Sequence, residues 1–118
     1  MMKVTIYHNP RCSKSRQTLA LLQEQQVTPD VVEYLDTPPD TATLTRILDM
    51  LGLEPRQLMR THEKEYKEAG LDNNDLSREQ LIAAMVKYPI LIERPIVVRN
   101  NKAAIGRPPE KVLEILES

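Results

Sequence analysis

The stretch KVTIYHNPRCSKSRQTLALLQEQQ, Lys3 to Gln26, with VVEYL at Val31 to Leu35 following it, decides the fold. Lys3 to Tyr7 is short and rich in β-branched residues, which reads as a strand. Asn9-Pro10 places a loop over His8 to Arg11. From Ser13 to about Gln26 the period becomes helical. Leu19 and Leu22, flanked by Ala20 and Leu21, supply an apolar face, and Gln and Glu fill the other side. Val31 to Leu35 is a second strand. Strand, helix, strand at this spacing is a parallel pair joined by a right-handed crossover.

Downstream, Thr37-Pro38-Pro39 interrupts the chain, and Asp40 or Thr41 can cap a new helix. Leu44, Ile47, Leu48 and Leu51 recur at helical spacing, with Gly52 suited to the position just past the end. Pro55 to Arg60 can form a short helical turn, and His62 to Ala69 a charged helix stopped by Gly70. Asn73-Asn74-Asp75 is a loop. Ser77 and Gln80 have capping-box spacing, opening a helix that turns Leu81, Ile82, Met85 and Val86 inward and ends at Pro89. The period then changes. Ile96 to Arg99 and Lys102 to Ile105 form a hairpin about Asn100-Asn101, and Glu110 to Leu116 is a closing helix with Val112, Leu113 and Leu116 toward the sheet. The order is β-α-β, a helical insert, then β-β-α. That is the order of the thioredoxin-like α/β fold, with a four-stranded mixed sheet and the insert between its halves. The 118 residues are expected to form a single domain over 1–118.

Bulk composition narrows the function classes. A net charge of -1 lacks the basic excess of a nucleic-acid binder. No stretch approaches the roughly 20 apolar residues of a membrane helix, and no leader pattern opens the chain. The single cysteine precludes an intramolecular disulfide, and with two histidines it is poor material for a zinc site. A cytoplasmic protein with no bound metal or cofactor is the expectation.

The chemistry centres on Cys12, placed between the first strand and the first helix. A helix start presents unpaired N–H groups and the positive end of its dipole, both of which favour a thiolate. Arg11, Lys14 and Arg16 add charge nearby. His8 can donate a hydrogen bond to the thiolate, and Ser15 lies within reach in the first helical turn. On these grounds Cys12 is expected to be solvent-accessible and reactive, rather than a small buried apolar residue. Position 18 is Thr18, not the arginine of a phosphatase-type anion loop, and position 15 is Ser15, not the second cysteine of a dithiol motif. Arg60, Arg94 and Arg107 are scattered, and spacing alone favours solvated surface for each. Arg94-Pro95 and Arg107-Pro108 place two of them before proline, which restricts their backbone; a cis peptide is plausible at Pro95.

Tyr7-His8-Asn9-Pro10-Arg11-Cys12-Ser13-Lys14-Ser15-Arg16 resembles the signature of the glutaredoxin-coupled arsenate reductase family, in its short bacterial branch. Glu93-Arg94-Pro95-Ile96 and Ile105-Gly106-Arg107-Pro108-Pro109 resemble its two other motifs, and Leu58-Met59-Arg60 sits where the family carries its first anion-binding arginine. The resemblance covers nearly the whole chain. It implies that Cys12 is the nucleophile, that His8 and Ser15 act on the thiol, and that Arg60, Arg94 and Arg107 converge on Cys12 to hold the oxyanion. It further implies reduction of arsenate to arsenite through a covalent Cys12 adduct, with glutathione as external thiol and glutaredoxin as partner. The chain departs from the better-characterised reductases at Ser13-Lys14, where they tend to have Gly-Thr. A glycine's backbone freedom is lost there and a charge is gained, which leaves the substrate open. Two alternatives share the fold: a monothiol reductase of glutathione mixed disulfides, and a redox regulator that binds RNA polymerase. Ser15 argues against the second, whose relatives usually carry a Cys-x-x-Cys switch.

Overall fold

A computed structural model describes residues 3–117, which divide into two compact units. One comprises the chain up to Thr37 together with the chain from Arg94 onward; the other is Pro38–Glu93.

The first unit is a four-stranded mixed sheet with helices packed on it. Strands β1 (Val4–His8), β2 (Asp30–Glu33), β3 (Ile96–Arg99) and β4 (Lys102–Ile105) lie in the order β2-β1-β3-β4. The β1–β2 pair is parallel and the other two pairs are antiparallel, as the thioredoxin-like order requires. Helix α1 (Ser13–Glu24) is the crossover between β1 and β2. Alternation along β1 buries Val4, Ile6 and His8. Val4, Ile6 and Val97 of the sheet pack with Leu22 of α1 and with Val112 and Ile115 near the C-terminus. Because β1 extends one residue beyond the expected strand, its last buried position is a histidine.

Three local differences from the sequence reading have physical causes. The buried side chains of α1 are Ser15, Thr18 and Leu22, whereas Ala20 is exposed and Leu19 and Leu21 are partly buried. The hydroxyls go inside because each finds a partner there; Thr18 Oγ1 donates to the Lys14 carbonyl at 2.8 Å. Strand β2 begins and ends earlier than VVEYL suggests. It is an edge strand, with Val31 46% exposed, so its apolar residues need not alternate with burial. The closing helix is a 3-10 turn (Pro109–Val112) followed by α6 (Leu113–Leu116). The tighter turn puts residues three apart on one side, so Val112 and Ile115 are buried while Leu113 and Leu116 are only partly so. Arg99 Nη1 reaches the Ile115 carbonyl at 3.1 Å, a cation at a helix C-terminus.

The second unit contains helices α2 (Thr41–Leu51), α3 (Pro55–Leu58), α4 (Lys64–Glu68) and α5 (Arg78–Lys87), then a 3-10 turn at Pro89–Leu91. Its ends are the ones the sequence signals. Asp40 Oδ1 accepts from the Thr43 N–H at 2.8 Å, Gly52 closes α2 at φ 67°, and Ser77 with Gln80 forms a full capping box. Leu44, Ile47, Leu48, Leu81, Ile82 and Met85 are buried. Arg56 ties the long connection down: its guanidinium donates to the Tyr66 hydroxyl and the Leu71 carbonyl at 2.6 Å and to the Asn73 carbonyl at 2.7 Å. Among the described residues, no helix is long and apolar enough to cross a membrane.

Candidate functional site

The loop from β1 to α1 is built around Ser15. The Asn9 N–H donates to Ser15 Oγ at 3.0 Å, and His8 Nδ1 shares a 2.7 Å hydrogen bond with the same oxygen. The Cys12 N–H donates to the Asn9 carbonyl, and the Arg11 N–H to Asn9 Oδ1, both at 3.0 Å. Arg16 Nη1 donates to the Pro10 carbonyl at 3.0 Å. Pro10 removes one donor from the turn, and the remaining groups are tied from both ends. Cys12 is thereby held as the N-cap of α1, at φ -97° and ψ 123°.

Cys12 is 8% exposed, so the residue that the loop position led us to expect at the surface is buried. Burial pushes the thiol up. The Ser15 N–H, the Arg94 charge, a hydrogen bond from the Arg94 side chain and the Lys14 N–H together outweigh it, and the net shift is below the ordinary cysteine value. The helix start acts as expected, through backbone donors aimed at the anion. The acting cation differs from those near in sequence: Arg94 lies beside the sulfur, while Arg16 is spent on the loop carbonyl.

Arg107 approaches the sulfur as well. Its Nη2 lies 3.6 Å from Cys12 Sγ, while its Nε donates to the Arg94 carbonyl at 2.7 Å. One guanidinium thus spans the thiol and the backbone of the other arginine. Both arginines precede cis prolines, Pro95 and Pro108. Two of the three arginines singled out in the sequence therefore meet Cys12. Arg60 belongs to the second unit, where its N–H donates to the Leu91 carbonyl at 2.7 Å and its Nη1 pairs with Glu63.

His8 is directed differently from the sequence expectation. Its hydrogen bond runs to Ser15, not to the sulfur. Burial lowers its pKa, Glu33 opposes this and Arg16 reinforces it; the net shift is downward, which favours the neutral ring. The substitution of Ser13-Lys14 for Gly-Thr is accommodated without strain. Both residues lie in α1, neither has a positive φ, and both side chains are exposed. Sequence reasoning missed the part played by Gly106. A Cβ there would collide with Thr18 Oγ1 and stand 2.9 Å from Pro95 Cγ. The bare backbone lets the chain pass between α1 and Pro95 immediately before Arg107. The sequence signal was available: Gly106 precedes an Arg-Pro pair after a strand.

Alkylation separates the two properties of this thiol. With iodoacetamide, the midpoint of the rate against pH is expected below that of free cysteine, because the folded thiol titrates lower. The plateau rate is expected below that of free cysteine too, because Cys12 is buried. A midpoint equal to that of free cysteine would remove the activated thiolate.

The site has the chemistry of a nucleophile beside an anion subsite. A lowered thiol, a helix N-terminus and two arginines form an arrangement suited to a tetrahedral oxyanion, since a guanidinium fork gives paired, charge-assisted hydrogen bonds. Residues 7–115 match the model of the ArsC family. The uncharacterized protein YfgD of Escherichia coli (strain K12) is 61% identical over 115 residues, covering 97% of each chain. An arsenate reductase of Neisseria meningitidis is 50% identical over 117 residues, covering 98% of this chain and 100% of that one. The solved structure of an arsenate reductase from Vibrio cholerae superposes with a TM-score of 0.93 at 56% identity, covering 97% of this chain and 98% of the other. With the family model spanning nearly its whole length, the chain belongs to the ArsC family.

Proposed function

We propose that this protein reduces arsenate to arsenite through a covalent Cys12–arsenic adduct, in the cytoplasm, with glutathione and glutaredoxin completing the cycle. The observation that carries the reading is the meeting of Cys12 Sγ with the Arg107 guanidinium at 3.6 Å, beside an Arg94 that holds the thiol low. Arsenate reductases among the relatives supply the substrate.

The thiolate attacks the arsenic of dihydrogen arsenate, and one of its hydroxyl groups leaves as water with a proton from solvent, giving a Cys12–S–As(V) ester. Arg94 and Arg107 stabilise the charge on the remaining oxygens; for Arg60 the same role is implied by the family resemblance alone. Glutathione thiolate then attacks the Cys12 sulfur, forming a sulfur–sulfur bond as the sulfur–arsenic bond breaks with its electron pair going to arsenic. The two sulfurs give up two electrons, arsenic falls to the trivalent state, and arsenite leaves with Cys12 as a glutathione mixed disulfide. With one cysteine in the chain, the protein has no internal thiol to reduce it. A glutaredoxin with further glutathione restores the thiolate. His8 and Ser15 act on the thiol through the loop, which their hydrogen bond holds in register.

The test is arsenate-dependent oxidation of NADPH in the presence of glutathione, glutaredoxin and glutathione reductase. Turnover is expected with the native chain and none with Cys12→Ser. Activity toward a glutathionylated peptide with none toward arsenate would instead establish a monothiol reductase.

A further inference from the structure

A cavity of about 350 Å3 lies against the Cys12 loop, lined by neither Arg94 nor Arg107. Residues 8–11 form one wall, and Glu33, Leu35 and Asp36, where β2 ends, form the other. All of these belong to the first unit, as do Cys12 and the two arginines. His8 and Glu33 are partners in the parallel register, and Glu33 is near enough to raise the His8 pKa against the burial that lowers it. The Asp36 N–H donates to the Glu33 carbonyl at 3.0 Å, a turn that returns Asp36 to the same cavity. The loop wall is held by Asn9, whose carbonyl accepts from the Cys12 N–H and whose N–H donates to Ser15 Oγ, both at 3.0 Å.

The walls carry both signs of charge. Glu33 and Asp36 supply carboxylates and Arg11 a guanidinium, and among the described residues none of the three has an ion-pair partner. Leu35, 40% exposed, adds apolar surface between them. Opposed charges beside an apolar side chain complement a ligand with an ammonium group and a carboxylate on a short hydrocarbon stem, which is the end of an α-amino acid.

Topology sets this cavity opposite the arginines. Arg94 lies just before β3 and Arg107 just after β4, whereas the cavity lies at the ends of β1 and β2. In the order β2-β1-β3-β4, the strand that leads to Cys12 stands between the two flanks. An oxyanion bonded to the sulfur is held on the arginine flank. A thiolate that cleaves a sulfur–arsenic bond must approach in line with it, from the side away from arsenic, for the orbitals to align.

We infer that the cavity seats the reducing thiol, a thiol with a free α-amino acid end such as glutathione, whose ammonium group meets Glu33 and Asp36 and whose carboxylate meets Arg11. The inference rests on the reading of Cys12 as a nucleophile toward an oxyanion and deepens its second step. An extended tripeptide is about 10 Å long, so a thiol anchored at one end in the cavity can meet Cys12, the residue next to the cavity wall. Its thiolate forms the bond to the Cys12 sulfur on the β2 flank. The sulfur–arsenic bond breaks on the other flank, its electron pair passes to arsenic, and arsenic falls from the pentavalent to the trivalent state. Substrate and reductant thereby reach one sulfur without competing for the same charges.

The experiment uses the full chain as native protein, Asp36→Asn and the double variant Glu33→Gln/Asp36→Asn. Binding of S-methylglutathione, which keeps the charged ends and cannot react, is followed by amide chemical shifts in nuclear magnetic resonance. The amides of Asn9, Arg11, Glu33 and Asp36 are expected to move and saturate. The double variant should bind about five- to tenfold more weakly, the scale of losing two solvent-facing charge contacts. Asp36→Asn, which leaves Glu33 beside His8, should show part of that loss. The N-acetylated analogue, lacking the ammonium group, should bind native protein and the double variant alike. In the arsenate assay the KM for glutathione should rise by the same factor, with kcat and the KM for arsenate near native. Shifts centred on Arg94 and Arg107 instead, or equal affinity of native protein and double variant for S-methylglutathione, would overturn the seat. A lowered melting temperature in the double variant with unchanged affinity would mark the carboxylates as structural and overturn it too. If the native chain reduces no arsenate while the shifts and their loss in the double variant appear, the arsenate reading fails and the thiol seat is supported.

Discussion

Arg94→Ala is expected to lower arsenate turnover by roughly 30- to 1000-fold, about 2–4 kcal/mol, the typical effect of removing one preorganised donor from a developing oxyanion. Two losses contribute. The guanidinium no longer meets the anion, and the thiol loses the charge and hydrogen bond that hold it low. The alkylation midpoint of Cys12 should therefore move up in the same variant. Arg107→Ala should produce a fall of the same order with a smaller rise of that midpoint, because its guanidinium stands 3.6 Å from the sulfur while Arg94 contributes both charge and a hydrogen bond. The Arg107 anchor is the carbonyl of residue 94, which Arg94→Ala retains, so the two effects can be read separately. Arg60→Lys should be milder, keeping the charge and losing only the fork. Equal turnover in native protein and Arg94→Ala would dismiss the anion site. A midpoint that rises as much in Arg107→Ala as in Arg94→Ala would reassign the source of thiol activation.

Gly106→Ala is expected to destabilise the first unit by about 1–3 kcal/mol, the usual cost of an extra carbon in a filled space. The new Cβ would meet Thr18 Oγ1, Pro95 Cγ at 2.9 Å and Thr18 Cγ2 at 3.1 Å. Two of these atoms belong to a fully buried side chain that cannot swing aside. Thermal unfolding should show a drop of roughly 4 °C for each kcal/mol in a chain of this size. Thr18→Ala removes both of its clashing atoms, so the double variant should recover much of the loss. Turnover should fall more than stability explains, because Gly106 directly precedes Arg107 and any shift carries the guanidinium off the sulfur. Unchanged melting in Gly106→Ala would show that the chain relaxes there without cost.

The elements were legible wherever a local rule governs them. The helix ends at Asp40, Gly52 and Ser77 follow from capping chemistry that acts within four residues. The hairpin of Ile96–Arg99 and Lys102–Ile105 follows from alternation about Asn100-Asn101. Element order then constrained the topology, since a parallel β-α-β unit and an antiparallel hairpin combine in few ways. The position of Cys12 before a helix likewise announced an activated thiol, because the dipole and free N–H groups are properties of the helix start itself.

Tertiary packing decided the rest. Ser15 and Thr18 look like the polar side of α1, and only the presence of His8, Asn9 and a helical carbonyl as partners makes their burial favourable. Arg11, Lys14 and Arg16 are near Cys12 in sequence, yet the charge that lowers the thiol comes from Arg94, 82 positions away (94 − 12). The sequence of this protein determined its strands, its helix ends and the placement of its cysteine at a helix start, through interactions between residues a few positions apart. Which arginines reach the sulfur, and how far Cys12 is buried, depended on contacts between distant segments, whose geometry exists only once the sheet has brought the end of β1 beside the start of β3.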